Sequence, residues 1–252
     1  SELGVDGFRF DLGIALSRGE NLSPLDNPPI FEDIECEPEL IDIKFISEPW
    51  DCGGLYKLGD FPSKNTFTWN GHFRDDLRRF WKGDKDTAWN MSDKIKGTPS
   101  IYKEDNIFPK SINFITSHDG FTLKDLVTFN RKHNFANREQ NRDGDNHNNS
   151  WNHGTEGPTT NLLINDLRKR QQKNLILSLL ISKGVPMILM GDEIGRSQGG
   201  NNNSWCQNNL LGWMNWEHGQ QDLELLEYFK YVIKIRKKLI NIFNPSFFPN
   251  NQ

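Results

Sequence analysis

The chain has 252 residues, 35% of them hydrophobic and 12% aromatic, which is long enough for one large domain with a substantial core. A formal net charge of −4 argues against the basic face that nucleic acid or an anionic membrane surface requires, and suits a neutral ligand. Apolar runs stay short of the roughly 18 residues of a membrane span, and Cys36, Cys52 and Cys206 show neither zinc-ligand spacing nor a disulfide framework. The expectation is a cytoplasmic protein without metal, cofactor, nucleic-acid or membrane partner. The chain opens on Ser1 and already reads as mid-domain, so an upstream targeting segment is compatible with it.

The first stretch, Gly4-Val5-Asp6-Gly7-Phe8-Arg9-Phe10-Asp11, alternates apolar and charged residues and predicts a strand ending on an acid. Phe8 and Phe10 fall on one face, Arg9 and Asp11 on the other. An arginine two residues before an aspartate can hold that carboxylate oriented for attack on an electrophile; a strand-end ion pair has the same spacing. Gly19 and the prolines 24, 28 and 29 mark a loop that leads to a short helix over 30–35. A second apolar strand, Lys44-Phe45-Ile46-Ser47, runs into Glu48, and Pro49, Trp50, Gly53 and Gly54 open the loop after it. A polar aromatic stretch then passes through Trp69-Asn70-Gly71 to a helix over 74–81, where Leu77, Phe80 and Trp81 share a core-facing stripe. Residues 90–110 are weakly patterned, with a short strand expected at 100–102.

Ser111-Ile112-Asn113-Phe114 predicts the next strand, and His118-Asp119 follow it. A helix is expected over 121–130, then a polar loop over 131–160 whose Asn134, Asn137, Arg142, Asp143, Asn149 and Trp151 offer hydrogen-bond partners for hydroxyls and one stacking ring. Asp143-Gly144-Asp145-Asn146-His147 lacks the sixth-position Gly and twelfth-position acid of an EF-hand. A helix over 165–182 feeds an apolar strand over 186–191, and Asp192-Glu193 follow it. The Asn-rich loop 199–203, with Trp205, is expected beside the substrate, and an amphipathic helix over 222–238 closes the pattern. Most of the eight Trp are expected to be core.

Three acids at strand ends converge on one face in a parallel barrel. The stretches carrying them resemble catalytic motifs of the α-amylase superfamily, glycoside hydrolase family 13. The wording Glu48-Pro49-Trp50-Asp51 with Gly53-Gly54-Leu55-Tyr56, His118-Asp119-Gly120-Phe121-Thr122-Leu123, Asn141-Arg142-Asp143-Gly144 and Met190-Gly191-Asp192-Glu193 is similar to its isoamylase-type glycogen debranching enzymes. The resemblance runs from Gly4 to about Arg236. It implies that Asp11 is the nucleophile, Glu48 the general acid/base and Asp119 the stabiliser of the transition state, with Arg9 and His118 in support. Trp50, Asn134, Arg142 and Trp151 are taken with Arg9 and His118 as substrate-binding, and Asp192 and Glu193 match a structural motif.

The implied fold is α/β, a partial (β/α)8 barrel holding strands four to eight, with residues 1–240 as the C-terminal part of the catalytic domain and 241–252 as a tail towards a further domain. The expected protein is thus part of a longer enzyme. The implied activity is retaining hydrolysis of α-1,6 branch points in glycogen or starch-like glucan. Another α-glucan hydrolase or transglycosylase, or a non-catalytic glucan-binding scaffold, is the alternative.

Overall fold

The computed structural model describes residues 4–102, 110–217 and 219–243. Five parallel strands form one sheet in chain order: β1 (Gly7–Phe10), β2 (Lys44–Ser47), β3 (Thr66–Trp69), β4 (Ser111–Phe114) and β5 (Val185–Met187). Between and after them lie α1 (Pro29–Cys36), α2 (Gly71–Lys82), α3 (Ala88–Ile95), α4 (Leu123–Leu126), α5 (Leu162–Ile181) and α6 (Gln220–Phe243). Each strand pairs with the next, as in an arc of a (β/α)8 barrel whose edges β1 and β5 do not meet among the described residues.

The helices are held by local chemistry and by a few buried arginines. Asn70 caps α2 by accepting from Phe73 N–H at 2.9 Å, and Gly83, at φ +93°, ends it in a left-handed turn. Asn161 caps α5 by accepting from Leu163 and Ile164 N–H. The core between sheet and helices gathers Phe73 and Leu77 of α2, Phe121, Leu175 and Leu179 of α5, and Phe229 and Val232 of α6. Arg78, 5% exposed, donates to Ile115 O and Asn148 O, and Arg236 donates to Leu180 O and Ser182 O ahead of β5. Each guanidinium thereby satisfies carbonyls that burial would otherwise leave unpaired.

Several expectations are corrected. The strand expected at 100–102 is a turn; the third strand is Thr66-Phe67-Thr68-Trp69, whose β-branched and aromatic residues fit a pleated surface. Tyr102 instead packs beneath it, its hydroxyl 2.8 Å from Thr68 Oγ1. The helix over 121–130 contracts to one turn, α4, and β5 ends at Met187, short of 191. Five of the eight Trp are exposed (Trp89, Trp151, Trp205, Trp213 and Trp216), and Trp69 alone falls in the buried class among the described residues. Of the expected tail, residues 244–252 lie outside the described residues. No helix among the described residues is long and apolar enough to cross a membrane.

Candidate active site

The register places the first two acids side by side. Phe10 pairs with Ser47 at the last step of the β1–β2 ladder, so Asp11 and Glu48 leave adjacent strand ends together, and Glu48 N–H donates to Phe10 O at 3.1 Å. Beyond Asp11 the backbone turns left-handed at Leu12, φ +45°, a conformation that costs a non-glycine residue energy and is found at functional sites. That turn aims Leu12 N–H at Glu48 Oε2, 2.7 Å away. Gly13 follows because a Cβ there would lie 2.0 Å from Ser47 Oγ; only glycine lets the loop close on β2.

Arg9 joins the two acids. Its Nη1 donates to Asp11 Oδ1 at 2.6 Å and its Nη2 to Glu48 Oε1, while the guanidinium lies 4.3 Å from the centroid of Trp69. His118 Nε2 stands 3.8 Å from Asp11 Oδ1 and 3.6 Å from Asp119 Oδ2, so the loop after β4 reaches the same place. The Glu48 side chain is 3% exposed and that of Asp11 63%. Burial pushes the Glu48 carboxyl up, opposed by the Leu12 N–H and the Arg9 charge. Asp11, Glu48 and His118 each offer an atom within 4.8 Å of the others, but the Arg9 guanidinium already bonds both carboxylates and would repel a cation placed between them.

A cleft of about 420 Å³ opens beside these groups, lined by Glu48, Trp50 and Asp119. Three lining groups carried no assignment from sequence: Tyr56, the Arg74–Asp75 ion pair at 2.7 Å and Asn148. Tyr56 stacks on His72 and meets Trp50 edge-on, giving the cleft an aromatic wall of the kind sugar rings stack on. Trp69 was missed as well. It contacts Arg9, Trp50 and His118, and the detectable signal was its position at the end of a Thr-Phe-Thr-Trp run.

Of the expected substrate-binding residues, Arg9, His118 and Trp50 come together. Asn134 does not face the cleft: it is 0% exposed, with Nδ2 donating to Asn202 Oδ1 and Oδ1 accepting from Asn202 N–H. Its place is corrected to a brace between loop 131–160 and loop 199–203. Arg142 is exposed with its Nε directed at Glu139 O, and Trp151 stacks on His153 beside a separate small pocket; neither lines the cleft. Asn202 and Asn203 of the Asn-rich loop do line it, whereas Trp205 is 80% exposed and does not. Gly144 is required where these loops meet, at φ +71° with a Cβ position 2.3 Å from Asn202 Oδ1. Lys132 Nζ donates to the carbonyls of Arg142, Asp143 and Gly144, so the turn is organised by an ammonium. Asp192 is 3% exposed and accepts from Thr116 Oγ1 and Leu123 N–H, a bracket between the loops after β4 and β5.

No protein-family model matches the chain. Among curated proteins it is 42% identical over 259 residues to "Isoamylase 1, chloroplastic" of Oryza sativa subsp. japonica, covering 94% of this chain and 32% of that protein. It is 45% identical to the "Glycogen operon protein GlgX homolog" of Mycobacterium tuberculosis (strain ATCC 25618 / H37Rv), covering 94% and 33%. Among solved structures, the pullulanase type I from Bacillus subtilis str. 168 complexed with maltose superposes with a TM-score of 0.66 at 22% identity, covering 94% of this chain and 31% of that one. At that identity the likeness concerns the fold. The chain spans about a third of the length of the curated relatives it matches. Its identity to them over nearly its whole length, with the barrel arc and the clustered acids, places the chain in the isoamylase and GlgX family of the α-amylase superfamily.

Proposed function

We propose that the protein carrying this chain is a retaining glycoside hydrolase that cleaves α-1,6 branch points of a branched α-glucan. The observation that carries the reading is the pair Asp11–Glu48, with carboxyl atoms within 4.8 Å and Arg9 bonded to both. A retaining mechanism uses two carboxyl groups about 5–5.5 Å apart, whereas inversion needs about 6.5–9.5 Å to seat a water. The short separation therefore favours retention.

In this reading protonated Glu48 gives its proton to the departing glycosidic oxygen while the Asp11 carboxylate attacks the anomeric carbon and forms a glycosyl-enzyme. Glu48, now ionised, takes a proton from water, the hydroxide displaces Asp11, and the configuration is retained. Burial of Glu48 supports the acid role because it favours the neutral form. Asp119 and His118 are placed to hold hydroxyls next to the reacting carbon, and Trp50 and Tyr56 to stack on the ring. The two relatives named isoamylase and GlgX homolog support the branched substrate. A cytoplasmic setting belongs to the same proposal, supported by three exposed free cysteines, which persist in reducing compartments.

The test is the full-length protein acting on glycogen. Branch removal raises both reducing ends and the iodine absorbance of the freed linear chains. Reducing ends that appear while iodine absorbance falls would assign an internal α-1,4 cut instead, and absence of turnover would leave a glucan-binding scaffold.

A further inference from the structure

A second cavity, of about 330 Å³, lies away from the acids, between α4, α5 and the start of α6. Its volume is at the lower end of small-molecule sites. α5 lines it with Arg168 and Gln172, one turn apart, and with Lys169 and Lys173 on the neighbouring stripe. Lys124 of α4 joins them. Gly195 brings the two sides close, since a Cβ there would lie 3.9 Å from both Gln172 Oε1 and Lys124 Cδ.

The polar groups of this cavity are unevenly satisfied. Arg168 and Gln172 are 5% and 7% exposed. Arg168 places Nη1 on Gly157 O at 2.9 Å and Nη2 on Asn152 O at 2.8 Å, but among the described residues its Nε has no partner, and neither has Gln172 Oε1. A buried donor and a buried acceptor left open each forgo the bonds that water would have given them, so such groups call for an explanation. The charge is also lopsided: four cations, Arg168, Lys124, Lys169 and Lys173, face two acids, Asp222 and Glu224. Asp222 is already engaged by Gly219 N–H at 2.9 Å, and Lys124 and Lys169 have no ion-pair partner among the described residues.

Among the described residues no aromatic ring lines the cavity, in contrast to Trp50 and Tyr56 in the cleft. A neutral sugar would find no stacking surface here, whereas an anion finds clustered ammonium groups. We propose that this cavity binds the phosphate monoester of a sugar-sized polyol, with Lys124, Lys169 and Arg168 Nε on the phosphate oxygens and Gln172 Oε1 accepting from a hydroxyl. The acceptor is what distinguishes such a ligand from phosphate alone, because Oε1 has no use for a fully ionised oxygen.

Calorimetric titration of the full-length protein tests this without turnover, so it stands or falls separately from the debranching assay. Glucose 6-phosphate is expected to bind saturably, at least tenfold tighter than either glucose or inorganic phosphate. The double variant Lys124→Ala/Lys169→Ala, which alters one exposed and one half-buried side chain, is expected to weaken that binding at least tenfold with an unchanged thermal midpoint. Equal affinity for glucose or for inorganic phosphate, absence of saturable binding, or binding that survives the double substitution would overturn the proposal.

Discussion

At the scale of single residues, two buried acids have opposite uses. Glu48 meets the cleft and is held by Arg9 and Leu12 N–H; Asp192 meets only protein. Replacing Glu48 with Gln keeps the shape and removes the proton, so kcat on glycogen is expected to fall by about 10²–10⁴, the usual contribution of a general acid/base. Asp11→Asn should also lower kcat by orders of magnitude while leaving the unfolding midpoint close to wild type, because Asp11 is a mainly exposed side chain. Near-normal rates in either variant would reject the roles. Asp192 makes a different prediction. Burial pushes its carboxyl up to about 7, so between about pH 4 and pH 7 the folded chain holds a proton that the unfolded chain has released. Stability should then fall as pH rises through that window, by on the order of a few kcal/mol, and level off above it. Asp192→Asn is expected to flatten the slope in urea unfolding at pH 5 and pH 8; an unchanged slope would show that Asp192 is not its source.

At the scale of elements, β3 is the strand that carries most at the site and was easiest to overlook. Thr66-Phe67-Thr68-Trp69 supplies Trp69, which packs on Phe114 and Trp50 and lies under the Arg9 guanidinium. Trp69→Ala should cost about 3–5 kcal/mol in urea unfolding, as for other large aromatic truncations in a core. It should also slow turnover, since Arg9 loses one of the surfaces that orient it. A loss below about 1 kcal/mol would mean that β3 is not integral to the sheet. The run was visible as a β-branched and aromatic alternation, yet four residues between polar turns weigh little against a longer helical pattern. The two Asn-rich loops were harder to read for another reason. Asn134 looks like any surface amide until Asn202, 68 residues later, is folded against it, and no local periodicity records that pairing.

At the scale of the whole molecule, the sheet of five strands is an arc with two free edges among the described residues. Phe8 on β1 is 48% exposed, and Met190, just after β5, is 59% exposed. Unpaired parallel edges with apolar flanks favour association with other chains. Expressed as these 252 residues, the protein is therefore expected to self-associate and to lack debranching activity. Size-exclusion chromatography with a glycogen assay checks both, and an active monomer with cooperative unfolding would refute the expectation.

What the sequence by itself determined is local and repeated. The alternating stretch that ends on Asp11, the apolar run into Glu48, the stripe of α2, the amphipathic pattern of α6 and the motif wording around the acids are each written within a few neighbouring residues. They were enough for the α/β class, for the arc of a barrel and for the family. What only the tertiary structure decided depends on register and on burial. The pairing of Phe10 with Ser47 sets Asp11 beside Glu48, Arg9 bridges them over Trp69, and the closure of two distant loops buries Asn134 while turning Asn202 and Asn203 to the cleft. Local spacing says which face of its own strand a side chain takes. Whether that side chain then meets solvent, a sugar or another side chain is set by what packs across from it, which local propensity does not encode.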